Sequence, residues 1–170
     1  MPDARSIPRI EPGPQPPSPA LSCLQELSMN WNQIDTVIAP IDLEEADDAG
    51  LKLALQAAST PGGVHALYVL PELEPSLVTQ IDLQTRTATA RRNLRAWLEQ
   101  QGAPDGVRTH IATGNPASAV ALLAETVSAD LVILPSKGRK GLQRALLGSV
   151  AERSVRLCPC PVLVLKHPRT

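Results

Sequence analysis

Two short stretches carry residues whose types and spacing suit chemistry. The first is Pro40-Ile41-Asp42. The second runs from Pro135 to Ser149 and holds glycines, a cationic cluster of Lys137, Arg139, Lys140 and Arg144, and a Gly148-Ser149 pair that opens a helical pattern. Glycine lets a backbone approach an anion closely. The free amides and positive dipole end of a helix favour negative charge. A serine hydroxyl donates to a phosphate oxygen, and lysine or arginine neutralises the remaining charge. The second stretch therefore has the parts of a phosphate cradle, and Asp42 has the acceptor oxygens that ribose hydroxyls need. A plainer reading stands beside each. Gly-Ser often serves only as a helix start, a basic loop is often only solvated, and an acid at a strand end often bonds a backbone turn.

The elements that must hold these stretches follow from periodicity. Residues 36–41 form an aliphatic run that predicts a buried strand. A helix over 44–59 puts Leu51, Ala54, Leu55 and Ala58 on one face, and Pro61-Gly62-Gly63 ends it. Residues 64–70 read as a second strand. Residues 77–101 read as a long helix with Ala90, Leu94, Trp97 and Leu98 inward and arginines outward. A third strand over 107–112 leads to Gly114-Asn115-Pro116, where Asn caps and Pro takes the first helical position. That helix runs to about residue 128. A strand over 130–134, a helix from Gly148-Ser149 to Leu157 and a strand over 161–166 complete the pattern. Aliphatic strands alternating with helices predict an α/β fold of three layers, with a parallel sheet covered on both faces. In such sheets ligands gather at the carboxyl ends of the strands, at a topological switch point.

Composition narrows the function. The chain has 170 residues and a net charge of -1, with no Phe, one Tyr and two Trp. The core must be aliphatic. Stacking platforms for single-stranded nucleic acid are lacking, and no overall field draws nucleic acid or anionic lipid. No run approaches the ~20 apolar residues that span a bilayer. The expectation is a cytoplasmic protein without nucleic-acid or membrane partners. Residues 1–30 are Pro-rich, with seven prolines before residue 20, and their composition predicts a disordered extension ahead of a domain over 31–170. Met29 is the only methionine after Met1, which suggests it as an alternative start.

Cys23, Cys158 and Cys160 make an odd set without metal-ligand spacing, and Cys158-Pro-Cys160 reads as packing rather than redox chemistry. His65, His110 and His167 are scattered and carry ordinary surface or strand-edge roles. No Walker loop, Gly-x-Ser-x-Gly elbow or Gly-x-Gly-x-x-Gly occurs. A receiver domain would need an acceptor Asp after the third strand, which ends Ala112-Thr113-Gly114. No general base is visible near the cradle, so the chain reads as a binding protein, with slow phosphate hydrolysis at most.

Taken together, Ala39-Pro-Ile-Asp42, Leu67-Tyr-Val69, Gly114-Asn-Pro, Ser136-Lys-Gly138 followed nine residues later by Gly148-Ser149-Val-Ala-Glu, and Cys158-Pro-Cys-Pro-Val-Leu-Val resemble the universal stress protein family over residues 34–167. The resemblance implies a five-stranded parallel sheet of order 3-2-1-4-5, of the adenine nucleotide alpha hydrolase-like kind. It also implies a homodimer through the fifth strand and, in many members, bound ATP or AMP, with or without Mg²⁺. By that resemblance the adenine nucleotide site comprises Pro40, Ile41, Asp42, Val69, Lys137, Gly138, Gly148, Ser149 and Val150. Asp42 would hold the ribose, Val69 the adenine, and the glycines the phosphates. The motif's first glycine is replaced by Pro135, which removes one amide donor. The implied function is stress response or signalling. The alternative is an interaction protein of the same fold that binds no nucleotide and works through its dimer surface.

Overall fold

A computed structural model describes residues 33–44, 48–72, 80–136 and 148–166. The expected disorder of 1–30, the Met29 start, Lys137, Gly138 and the rest of the cationic cluster lie outside the described residues.

Among the described residues, five strands and four helices alternate. They are β1 (Val37–Pro40), α1 (Ala49–Ala57), a 3-10 turn (Pro61–Gly63), β2 (Val64–Leu70), α2 (Gln80–Gln100), β3 (Arg108–Thr113), α3 (Pro116–Thr126), β4 (Leu131–Pro135), α4 (Ser149–Leu157) and β5 (Val162–Leu165). All strand pairs are parallel and the order is β3-β2-β1-β4-β5. Helices α1 and α2 pack on one face of the sheet, and α3 and α4 on the other. The central strands are aliphatic because both their faces are covered: Val37, Ile38, Val132 and Ile133 are fully buried.

The helices form where their apolar stripes meet the sheet. Leu51 and Ala54 of α1 are buried, as are Ala90, Leu94, Trp97 and Leu98 of α2. Helix α1 begins at Ala49, five residues later than periodicity suggests, and the chain is already extended at Ala58. Ala58 therefore ends the helix instead of extending its apolar face. Asn115 caps α3 as its position predicts, its Oδ1 accepting from the Ser118 amide at 3.1 Å, and Pro116 opens the helix. At the amino edge of the sheet, one carboxylate ties two strands together. Asp130 Oδ2 accepts the amides of Asp35 at 3.0 Å and Thr36 at 2.8 Å. Gly63 has a steric reason, since a Cβ there would overlap the Asp35 carbonyl.

Candidate functional site

The sheet opens between β1 and β4. Strand β1 pairs with β2 over four residues and β4 pairs with β5 over four, yet β1 and β4 pair only at Val37↔Leu131 and Ile38↔Val132. Backbone alternation gives the reason. The Ile41 amide donates to Leu67 on β2, so on β1 the even-numbered amides point toward β4. The Val132 amide donates to Pro161 and that of Ser136 to Leu165, both toward β5, so on β4 the odd-numbered amides point toward β1. The next amides able to bridge the two strands would come from residues 40 and 135. Both are proline and have none. The ladder stops there, at the carboxyl ends, where the chain order reverses from β1-β2-β3 to β4-β5. This is the switch-point crevice of an open α/β sheet.

The walls of the crevice come from both sides. Beyond Pro40, buried Ile41 leads to half-buried Asp42, whose Oδ1 accepts the Glu44 amide at 3.0 Å. The turn reading of Asp42 thus holds for that oxygen, and Asp42 has further contacts beyond it. On the other side, Ser136 is bonded twice. Its amide donates to the Leu165 carbonyl at 2.7 Å, and its carbonyl accepts the Gly148 amide at 2.8 Å. The second bond sets the first residue before α4 beside the end of β4.

Gly148 is the N-cap of α4, with φ -62° and ψ 151°. That conformation is open to any residue, so glycine's value here is its missing side chain. Its carbonyl accepts the Glu152 amide at 2.9 Å. A helix leaves its first amides without internal acceptors. With that of Gly148 given to Ser136, those of Ser149, Val150 and Ala151 remain, and no backbone acceptor takes them among the described residues. Ser149 is exposed and Val150 half-buried. Val69 lies elsewhere on the sheet, half-buried against the cluster built on Ile38, Leu67 and Leu134. Of the nine sequence-derived site residues, Pro40, Ile41, Asp42, Gly148, Ser149 and Val150 gather at the carboxyl edge around the crevice. Val69 lines the adjoining face of β2, and Lys137 and Gly138 lie outside the described residues. Sequence reasoning missed the Gly148–Ser136 bond, which no side-chain pattern announces.

Burial favours the protonated thiols of Cys158 and Cys160. The Cys158 thiol is pushed up to about 11 by burial and by neighbouring Cys160, and Cys160 is also raised, mainly by burial. Both are free thiols. No group of three or more metal-binding side chains occurs among the described residues. No helix among them is long and apolar enough to cross a membrane.

The fold is an open, doubly wound parallel α/β domain whose loops converge on a switch-point crevice. The chain belongs to the universal stress protein family, whose profile matches residues 33–166. It is 30% identical over 149 residues to universal stress protein MJ0531 of Methanocaldococcus jannaschii, covering 81% of this chain and 85% of that protein. Among solved structures, hypothetical protein MJ0577 superposes with a TM-score of 0.66 at 24% identity, over 81% of this chain and 99% of that one. A universal stress protein solved in complex with cAMP superposes with a TM-score of 0.52 at 22% identity, over 78% of this chain and 97% of that one.

Proposed function

We propose that the crevice between β1 and β4 binds an adenine nucleotide, ATP or AMP, and that the chain acts as a dimeric stress-response or signalling protein. The observation that carries the reading is the mouth of α4. The Gly148–Ser136 bond holds it beside the divergence of the two strands, and its next amides have no backbone acceptor among the described residues. Those amides and the helix dipole suit a phosphate, and a missing side chain at Gly148 leaves it room. The Ser149 hydroxyl suits the same group. Asp42 stands across the crevice for the ribose, Pro40 and Ile41 form its near wall, and Val69 lies toward the adenine. Lys137 and Gly138 complete the phosphate side by their place in the motif. A structural neighbour of this fold solved with cAMP supports an adenine ligand. Mg²⁺, where present, would screen the phosphates.

Two features favour a second reading, that of an interaction protein without nucleotide. Pro135 and the committed Gly148 amide both subtract donors from the cradle, while edge strand β5 exposes Leu163. Titration calorimetry with ATP and Mg²⁺, and with AMP, separates the two. Saturable heat at up to millimolar nucleotide supports the crevice as a site, and its absence leaves the interaction reading. Mass spectrometry of the supernatant from denatured native protein tests the same point without added ligand.

A further inference from the structure

His65 on β2 and His110 on β3 lie on one face of the sheet, since His65 registers with Arg108 and Leu67 with His110. Their rings stack with centroids 5.0 Å apart and planes within 5°. His65 is only 2% exposed. Nδ1 of His65 and Nε2 of His110 are buried and have no hydrogen-bond partner among the described residues. Ring-nitrogen lone pairs lie in the ring plane, so parallel rings at this separation cannot aim two lone pairs at one metal ion about 2 Å from each. The pair is therefore a stack between strands, and its buried, unpartnered nitrogens make it a costly place for charge.

Among the described residues, the charged groups that act on the pair have one sign. Arg108 comes from β3 and Arg91 from α2. Strand β1 offers no titratable side chain. The only one on α3, Glu125, is exposed and does not line the adjoining groove. Burial, then His110, then Arg108 hold the His65 imidazole down at about 4, and burial followed by the two arginines lowers His110. Beside the stack runs a groove of about 350 Å³ between α3 and the edge strand, lined by His110, Leu67, Ala112, Ser118, Leu122 and Thr126 among others. Among the described residues strand β3 pairs only with β2, and the groove gives α3 and β3 room to part.

We propose that the His65–His110 stack is an acid-sensitive latch, holding edge strand β3 and helix α3 on the sheet only while both rings are neutral. Protonation places like charges 5.0 Å apart, on a buried His65 and a half-buried His110, with the exposed Arg91 and Arg108 adding charge of the same sign. The sign follows from linkage. The closed state has depressed values and the opened state ordinary ones near 6.5. Between those limits the opened state binds more protons, so falling pH favours opening. His65 raises the opening constant by up to about tenfold per pH unit in that window, and His110 adds to it in the same direction.

Hydrogen exchange of the full-length protein at about pH 7 and about pH 5, corrected for intrinsic rates, tests this. Acid should strip protection from peptides covering β3 and α3 while β4 and β5 keep theirs. A His65→Phe/His110→Phe double variant, which keeps the stack but not the charge, should show no such loss. Unchanged protection in the wild type, or equal acid loss in the double variant, overturns the latch. If the double variant does not fold, imidazole titration of the wild type by NMR decides. Midpoints well below 6.5 for both rings support the latch, and midpoints at or above that value overturn it.

Discussion

Pro40 on β1 and Pro135 on β4 each occupy the position whose amide would have bridged the two strands, and the β1–β4 ladder ends just before them. Two residues that cannot donate thereby open the sheet at its switch point. The same pair removes donors from the rim of the proposed nucleotide site. The cleft is poorer in amides for it.

Replacing Pro135 by glycine should therefore strengthen nucleotide binding. The restored amide points toward β1, and where a bound phosphate takes it in place of the Pro40 carbonyl it contributes about one hydrogen bond, about 1 kcal/mol, offset in part by the added freedom of the chain. Calorimetry with ATP on Pro135→Gly should show severalfold tighter binding. Unchanged or weaker binding would mean that phosphate does not approach this edge.

Gly148→Val tests the opposite side. At φ -62° and ψ 151° valine is conformationally allowed, so the fold should survive with a loss of no more than about 1 kcal/mol at the N-cap. Binding should fail, because the branched side chain fills the space at the helix mouth. Circular dichroism melting and ATP calorimetry on the same sample separate the two effects. Retained affinity in a folded variant would refute the cradle.

Asp42 has two duties to pull apart. Its Oδ1 accepts the Glu44 amide at 3.0 Å, which Asn can also do. Asp42→Asn should keep the turn and lose a charged acceptor, whereas Asp42→Ala loses both. If the carboxylate holds the ribose, Asp42→Ala should weaken ATP by about 1–3 kcal/mol, with Asn between it and wild type. Equal affinity in all three proteins would confine Asp42 to the turn.

Cys158 and Cys160 should be slow nucleophiles. With Cys158 raised from 9.0 to about 11, its thiolate population near neutral pH falls by roughly a hundredfold relative to an unburied thiol. Alkylation followed by peptide mapping should modify both only after denaturation. Rapid modification in the native protein would revive a redox reading of the Cys-Pro-Cys segment.

Much of this was legible in the sequence because strands and caps announce themselves locally. Val64–Leu70 matches the strand expected there residue for residue, and Asn115-Pro116 opens α3 where cap chemistry says. The start of α1 was less legible. No side chain caps it, and Asp48 pairs instead with Lys52. His65 and His110 read as scattered because nothing local links positions 45 residues apart, and only the β2–β3 register stacks them. His65 is accordingly buried instead of taking an ordinary surface role. The donor-poor crevice is intermediate: both prolines are plain in the sequence, but which way their missing amides point depends on the pairing.

The dimer is the last point open to test. Strand β5 is at the sheet edge, and Leu163 is 42% exposed there. An edge strand with outward apolar side chains invites pairing, and a two-fold partner covers it with the same strand. Light scattering at micromolar concentration should therefore give twice the chain mass. Because a two-fold interface contains Leu163 twice, Leu163→Lys removes two apolar contacts of about 1.5 kcal/mol each, raising the dissociation constant on the order of a hundredfold or more. The monomer should keep its fold, since this side chain contributes little to the core. A monomeric wild type would remove the dimer, and a dimeric Leu163→Lys would move the interface away from β5.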